Sequence, residues 1–205
     1  MDDMERNEEL TVHHFQSLAA SRGGEWATLD WGSPKSQQLR FKVLAEVGLL
    51  DGASVLDVGC GHGDFIDWCR DNGLRIDYTG VDITPPMLEV AKRKHPESRF
   101  ELCSILKTNP PKLQYDYVIA SGIFYKATVD SYTYLDAMAR RMFSLCRRAT
   151  AFNLLSARTP ASGQDEFRAE PAHAVEIAQA ISLRFSLRHD YHPGDFSIYL
   201  HKDAQ

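Results

Sequence analysis

The sequence lacks any long hydrophobic run, and this limits how the chain can relate to a membrane. No apolar stretch approaches the roughly 18 residues that a membrane-spanning helix needs. The N-terminal residues are polar and acidic, unlike the apolar centre of a secretory signal peptide. We therefore expect a cytoplasmic protein with no membrane partner.

Residue spacings typical of metal and disulfide sites are also missing. The four cysteines, Cys60, Cys69, Cys103 and Cys146, include no C-x-x-C pair. We interpret them as reduced thiols. The eight histidines include no H-E-x-x-H motif, the spacing of a zinc-dependent protease. No metal is expected.

An excess of positive charge is absent as well. With 23 Lys and Arg against 28 Asp and Glu, the net charge is −5, whereas nucleic-acid binding usually requires a basic surface. We expect no nucleic-acid partner. The 205 residues, 43% hydrophobic, suit one domain with its own core. We expect residues 1–32 to form a lid or cap segment and residues 33–205 the core, and the oligomeric state stays open.

What the sequence does contain is a glycine-rich loop directly after a short apolar run. Val55, Leu56 and Val58 predict a strand buried on both faces, and residues 59–63 (GCGHG) follow. Glycine admits positive φ and lets a ligand approach the backbone, and free N–H groups of the next helix would face that ligand. Asp64 replaces the third glycine of a dinucleotide-binding G-x-G-x-x-G motif, which disfavours a dehydrogenase.

A second strand is predicted over residues 76–82 (IDYTGVD), and it ends in an acid. Asp82 follows Gly59 by 23 residues. An acid at the end of the second strand of a βαβ unit is placed to accept hydrogen bonds from both ribose hydroxyls of an adenosine. Thr84 and Pro85 then predict the N-cap and first position of a helix.

These two elements, DVGCGHG (residues 57–63) and VDITPPMLEVA (residues 81–91), resemble motif I and the element after it in class I S-adenosylmethionine (SAM)-dependent methyltransferases. WGSPKSQQLRF (residues 31–41) and RHDYHPGDFSIYL (residues 188–200) resemble a bacterial small-molecule subset. The resemblance implies an α/β fold, a Rossmann-like three-layer sandwich. Its seven-stranded, mostly parallel sheet would have the order 3-2-1-4-5-7-6 and a C-terminal antiparallel hairpin.

The resemblance also implies SAM as cofactor, S-adenosylhomocysteine (SAH) as product, and a cofactor site along the strand ends. Arg40 and Gln37 would hold the SAM carboxylate. In most of the superfamily an Asp after the third strand hydrogen-bonds the adenine amino group, and its nearest equivalent here is Ser104 or Cys103. The predicted cofactor-binding residues are Trp31, Ser33, Gln37, Arg40, Asp57, Gly59, Cys60, Gly61, Asp82, Ile83, Met87, Ser104, Ile105, Ser121 and Gly122.

The acceptor site is expected at the same edge of the sheet, near the long segment of residues 156–171. Connections of this length usually bind a ligand. Arg158 and Arg168 are candidates for an anionic group on the substrate, and Tyr191 is a third substrate candidate. A hydroxyl or ammonium acceptor must lose a proton, and each candidate for that role also has a structural interpretation. The predicted catalytic residues are His62, Tyr125, His189 and His192.

The favoured hypothesis is a SAM-dependent methyltransferase that moves a methyl group by direct SN2 transfer to O or N of a small metabolite. The acceptor would be anionic if the two arginines bind it. An RNA or protein methyltransferase is an alternative, although SGIF replaces an N-P-P-Y-type motif at the end of the fourth strand. A SAM-binding protein without transferase activity remains the other alternative.

Overall fold

The computed structural model describes residues 3–21, 33–126, 128–161 and 165–203. Helices and strands alternate through most of this part of the chain, as expected for an α/β domain. In chain order the elements are α1 (Asp3–Ser21), α2 (Pro34–Ala45), β1 (Ser54–Val58), α3 (Asp64–Asp71), β2 (Asp77–Asp82), α4 (Pro85–Lys94), β3 (Arg99–Leu102), β4 (Tyr115–Ala120), α5 (Ser131–Leu145), β5 (Cys146–Leu155), α6 (Pro171–Ile181), β6 (Phe185–His192) and β7 (Asp195–His201).

The strands form one seven-stranded sheet with the order β3-β2-β1-β4-β5-β7-β6. β1 pairs in parallel with β2 and β4, and the parallel pairing extends outward to β3 and β5. β7 is antiparallel to both β5 and β6. The predicted fold class is therefore confirmed. Because β6 runs in the same direction as β1 to β5, the β6–β7 turn lies at the carboxyl edge of the parallel strands.

The core lies on both faces of the sheet. All five residues of β1 are buried, and successive side chains point to opposite faces. Leu56 and Val58 pack in one hydrophobic cluster, while Val55 packs in the other. The first cluster also contains Met138 and Met142 of α5. Helices covering both faces explain why β1 has an unbroken apolar sequence instead of an alternating one.

One predicted boundary was wrong. The sequence indicated a helix continuing to about residue 147 and a strand starting at Thr150, but β5 starts at Cys146. Arg147 and Arg148, which resemble the basic end of a helix, instead reach Asp116 at the start of β4, at 3.2 and 3.6 Å. The ion pairs extend the β4–β5 pairing across a bulge near Tyr115. Hydrophobic periodicity alone contains no signal for this contact.

Within the described ranges, no helix is both long enough and apolar enough to cross a membrane.

Candidate functional site

A cleft opens at the carboxyl ends of β1, β2 and β4, beside the loop that follows β1. It encloses about 1060 Å³, including the part open to solvent, which suits a ligand of nucleoside size. The structure brings many of the predicted site residues together along its wall. Those that line it are Gln37, Asp57, Gly59, Cys60, Gly61, Asp82, Ile83, Met87, Ser104, Ile105, Ser121, Gly122 and Tyr125.

The loop after β1 is folded tightly against β2. Gly59 and Gly61 have φ values of +71° and +54°, which L side chains rarely adopt. The N–H groups of Gly59 and Cys60 donate to the Val81 carbonyl at 2.8 and 3.1 Å. A Cβ atom on Gly59 would overlap the side chain of Ile123 in the loop after β4. Glycine at position 59 therefore lets the two loops meet at the floor of the cleft.

Asp82 is held by backbone groups at the end of β2. The Gly61 N–H donates to Oδ2 at 3.0 Å, and the Thr84 N–H donates to Oδ1 at 2.8 Å. Burial raises the pKa of Asp82, and these N–H groups oppose that shift because they stabilise the carboxylate. Each oxygen has further lone-pair capacity. The carboxylate is thus fixed in orientation and can still accept hydrogen bonds from a ligand.

Asp57, in β1, also lines the cleft, and its pKa is raised. The Tyr78 hydroxyl donates to its Oδ2 at 2.8 Å. Burial raises the pKa of Asp57 to about 7, the Tyr78 hydrogen bond lowers it, and the negative charges of Asp82 and Asp64 raise it further. Near neutral pH the protonated and the ionised form of this carboxyl are therefore both populated.

The end of β4 contributes a buried polar atom, the Ser121 hydroxyl, to the cleft. Among the described residues, the buried Ser121 hydroxyl has no hydrogen-bond partner, although Ser121 lines the cleft. The backbone N–H of the next residue, Gly122, does have a partner, because it donates to the Asn153 side chain at 2.9 Å. Buried hydroxyls are normally hydrogen-bonded. Ser121 is therefore suited to bind a polar group of a ligand.

Helix α1 forms one wall of the cleft, and none of its lining residues was predicted from the sequence. Glu8, Thr11 and Phe15 line the cleft. The Ser104 hydroxyl donates to the Glu8 carboxylate, which also pairs with Lys107 at 3.0 Å. Ser104, predicted to contact adenine, is thus bonded to α1. Glu8 and Ser104 are 96 residues apart, so no local pattern could reveal this contact.

A second contact of α1 reaches the exit of β4. His14 Nε2 and the Tyr125 hydroxyl lie 3.1 Å apart, and the ring of Phe15 meets that of Tyr125 edge to face. The Val129 N–H donates to Asn7 Oδ1 at 3.1 Å. Helix α1 therefore lies against the cleft, and its role as a lid remains a prediction.

Two of the predicted cofactor-binding residues, Ser33 and Arg40, do not line the cleft. A third, Trp31, lies outside the described residues. The Ser33 hydroxyl caps α2 by accepting from the Ser36 N–H at 3.2 Å. Arg40 was expected to hold the cofactor's carboxylate, but its guanidinium lies 2.7 Å from the buried Asp195 of β7. Gln37 does line the cleft, and its amide donates to Asp64 at 3.0 Å.

The two arginines predicted to bind an anionic substrate do not line the cleft. Arg168 is 13% exposed, and its guanidinium lies 2.9 Å from the Glu166 carboxylate. It also donates to the Ser156 carbonyl and the Thr159 hydroxyl at 3.3 and 2.8 Å. Arg158 is 65% exposed and lies 3.4 Å from Glu170. The segment's own acceptors bind both side chains.

The remaining candidates from the sequence are also engaged in local structure. His62 is buried but does not line the cleft. His189 Nε2 lies 3.2 Å from the Pro193 carbonyl, and His192 Nδ1 accepts from the Gly194 N–H at 3.1 Å. The Tyr191 hydroxyl pairs with Ser197 at 3.0 Å. Of the four predicted catalytic residues, the cleft contains Tyr125.

No cluster of three potential metal ligands from His, Cys, Asp and Glu occurs in the described part of the chain.

Comparison with known proteins agrees with this architecture. Residues 55–147 match a family model described as a methyltransferase domain. A presumed methyltransferase of Mycobacterium tuberculosis is 29% identical over 163 residues, which are 76% of this chain and 97% of that protein. A trans-aconitate 2-methyltransferase of Delftia acidovorans is 33% identical over 91 residues, 40% of this chain but only 33% of that enzyme.

A solved structure shares the whole fold. Magnesium protoporphyrin IX methyltransferase from Synechocystis, crystallised with SAH, aligns with a TM-score of 0.67 at 15% identity, over 98% of this chain and 100% of that chain. At this identity the likeness concerns the fold. Together, the matched methyltransferase domain, the methyltransferase relatives and the shared fold support a class I SAM-dependent methyltransferase.

Proposed function

We propose that the protein transfers the methyl group of SAM to an O or N atom of a small, anionic metabolite. The observation that carries this proposal is the arrangement of the two ends of one cleft. Asp82 is fixed at the end of β2, while Tyr125 and Lys126 lie beyond the end of β4. β1 separates these strands, so their ends are about 10 Å apart. A cofactor at the first end would present its reactive group toward the second.

The residues of the cleft fit SAM better than a dinucleotide. Among the described residues, four carboxyl side chains line it, those of Glu8, Asp57, Asp64 and Asp82. Such a lining favours a ligand with positive charge, and SAM carries a sulfonium and an ammonium group. A dinucleotide would instead bring a negatively charged pyrophosphate beside these carboxylates. Asp82 would accept hydrogen bonds from the ribose hydroxyls, and Ser121 would bind another polar group of the cofactor.

The bound cofactor supplies an activated methyl group, so the protein's main task is alignment of the acceptor. Tyr125 lies where the acceptor would approach. A hydroxyl or ammonium acceptor must also lose its proton. The Tyr125 hydroxyl is within hydrogen-bonding distance of His14 Nε2, so this pair provides a path for that proton. Packed against the cleft, α1 would keep water away from the reacting atoms.

A small acceptor is supported by the dimensions of the site. The cleft has about 1060 Å³ including its open part, and the α1 wall formed by Glu8, Thr11 and Phe15 narrows the approach to it. The Delftia relative acts on trans-aconitate, a compound with three carboxylates. We therefore place carboxylic acids first among the acceptors to be tested.

Calorimetric titration with SAH, using NADH as the control ligand, tests the cofactor. We expect micromolar binding of SAH and none of NADH, and the reverse pattern would contradict the proposal. Transfer of a radiolabelled methyl group from SAM should then be measured with carboxylic acids, beginning with trans-aconitate, and with bulk RNA and protein as controls. Transfer to the macromolecules alone would favour the RNA or protein alternative. SAH binding without transfer to any of these would favour a non-catalytic SAM-binding protein.

A further inference from the structure

The charge pattern of the cleft has one exception, Lys126. Among the described residues that line the cleft, Lys126 is the only Lys or Arg. Two lysines that neighbour cleft residues do have carboxylate partners: Lys94 lies 2.6 Å from Asp64, and Lys107 lies 3.0 Å from Glu8. Lys126 has no such ion pair within the described ranges, and its ammonium lies 5.8 Å from the centre of the Tyr125 ring. Within the described part of the chain, Lys126 is therefore a cation without a paired carboxylate, next to the predicted acceptor position.

The backbone at Lys126 is held in place by the long segment of residues 156–171. Lys126 forms an antiparallel bridge with Glu166, and the Phe167 N–H donates to the Tyr125 carbonyl at 2.8 Å. The carboxylate of Glu166 is already bound by Arg168 at 2.9 Å. The segment thus supports the wall at Lys126, and the carboxylate of the bridging residue Glu166 is bound by a different cation, Arg168.

We propose that Lys126 binds the anionic group, a carboxylate or a phosphate, of the methyl acceptor. This proposal rests on the proposed function and assigns to Lys126 the role that the sequence analysis predicted for Arg158 and Arg168. A lysine ammonium acts as a point charge, so it can bind either kind of anion through charge-assisted hydrogen bonds. Tyr125 is adjacent in the chain, so the accepting atom lies close to the anionic group.

The rest of the cleft strengthens the orientation that Lys126 imposes. The carboxyl groups of Asp57, Asp64 and Asp82 belong to the half formed by β1 and β2. An acid would be repelled from that half and attracted to the other. Specificity obtained by combining attraction with repulsion is common in binding sites. The acceptor therefore has one electrostatically favoured orientation, with its charge at Lys126 and away from the cofactor.

The test compares binding of acids with binding of their neutral counterparts to the SAH-saturated protein. Calorimetry would use a panel of carboxylic acids paired with their methyl esters, including trans-aconitate and its trimethyl ester. A second arm would pair phosphate monoesters with their alcohols, including glycerol 3-phosphate and glycerol. The variants are Lys126→Met and Lys126→Arg. Lys112→Met is the matched control, because Lys112 pairs at 2.5 Å with Asp77 at the opposite edge of the sheet.

We expect wild-type protein to prefer at least one acid over its neutral counterpart. Lys126→Met should lose about tenfold or more of that acid's affinity, Lys126→Arg should retain most of it, and Lys112→Met should not change it. SAH affinity should be the same in all four proteins. A carboxylate or a phosphate preference identifies the source of the anion.

Two results would overturn the assignment: the absence of any acid preference in wild-type protein, or unchanged acid affinity in Lys126→Met. A fall in SAH affinity in Lys126→Met would also overturn it, because Lys126 would then serve the cofactor. Failure of wild-type protein to bind SAH is a separate outcome that contradicts the proposed function itself.

Discussion

Two regions at the same edge of the sheet differ in the hydrogen-bond and ion-pair partners of their polar side chains. In the first, around β1 and β2, backbone N–H groups hold Asp82 and leave part of each oxygen's capacity unused. In the second, around residues 156–171 and the β6–β7 turn, side chains bind one another, as Arg168 does with Glu166 and Arg40 with Asp195. Polar groups oriented by backbone can still bind a ligand, whereas groups paired with each other mainly stabilise the fold.

The largest effect should follow a change in the first region, Gly59→Ala. The substitution imposes a positive φ on alanine and forces its Cβ into Ile123. We expect a loss of roughly 2–5 kcal/mol in the free energy of unfolding, measured by urea denaturation.

Gly52→Ala is the matched control, because Gly52 has φ +74° but no atom lies within 4 Å of its added Cβ. It should cost only the backbone strain, about 1–2 kcal/mol. Equal losses in the two variants would contradict the close packing of the two loops, and adding Ile123→Ala to Gly59→Ala should recover part of the difference.

The next effect is on how the free energy of unfolding depends on pH. Asp57 and Asp116, at opposite edges of the sheet, should change it in opposite directions because their pKa shifts are opposite. Burial raises the pKa of Asp57 from 3.8 to about 7. Between about pH 4 and 7 the folded protein therefore binds more protons than the unfolded chain, and its stability falls as the pH rises through this window. Asp57→Asn should remove up to roughly 4 kcal/mol of that fall. The measurement is urea unfolding at pH 5, 6, 7 and 8.

Asp116 should show the opposite sign. Burial acts to raise its pKa, but hydrogen bonds from Ser54 and Arg147 together hold that pKa below the usual value. Its stabilising contribution is present above pH 4 and is lost as the pH falls further. Asp116→Asn should therefore leave the slope between pH 5 and 8 unchanged. Parallel pH profiles for wild-type protein and Asp57→Asn would show that the buried carboxyl does not titrate as described.

A smaller effect is expected for Asp82→Ala on SAH affinity. Removal of the carboxylate should weaken binding by roughly 1.5–3 kcal/mol, the range for hydrogen bonds to a charged group. Asp51→Ala is the control, since exposed Asp51 also accepts a backbone N–H, from Arg75 at 2.9 Å, but does not line the cleft. If calorimetry gave the same SAH affinity for Asp82→Ala and wild type, the proposed ribose contact would be wrong.

The same contrast explains how much could be predicted from the sequence. The family and the strand order could be predicted because the apolar run before GCGHG and the acid at Asp82 are local patterns with a fixed spacing. The Arg40–Asp195 pair joins residues 155 positions apart in the chain, so nothing near Arg40 indicated that its charge was already matched. Glu8 and His14 in α1 were missed for the same reason, because their partners are set by how the helix lies on the domain. Lys126 was missed because a single lysine after an apolar strand is an ordinary surface feature until the lining of the cleft is known.

The smallest effect should come from the second region, in Arg168→Met. Because Arg168 binds Glu166, Ser156 and Thr159, its removal should lower the free energy of unfolding by about 1–2 kcal/mol. SAH affinity should stay unchanged. Acid binding should weaken only to the extent that the loss of Arg168 displaces Glu166, whose backbone forms a bridge with Lys126. Arg158→Met, which removes an exposed pair with Glu170, should cost less than about 0.5 kcal/mol. Loss of acid binding in Arg168→Met at full stability, together with unchanged acid binding in Lys126→Met, would mean that the guanidinium leaves its partners to bind the acceptor. The second region would then be a binding surface in its own right, and the distinction between backbone-held and mutually paired groups would not hold at this edge of the sheet.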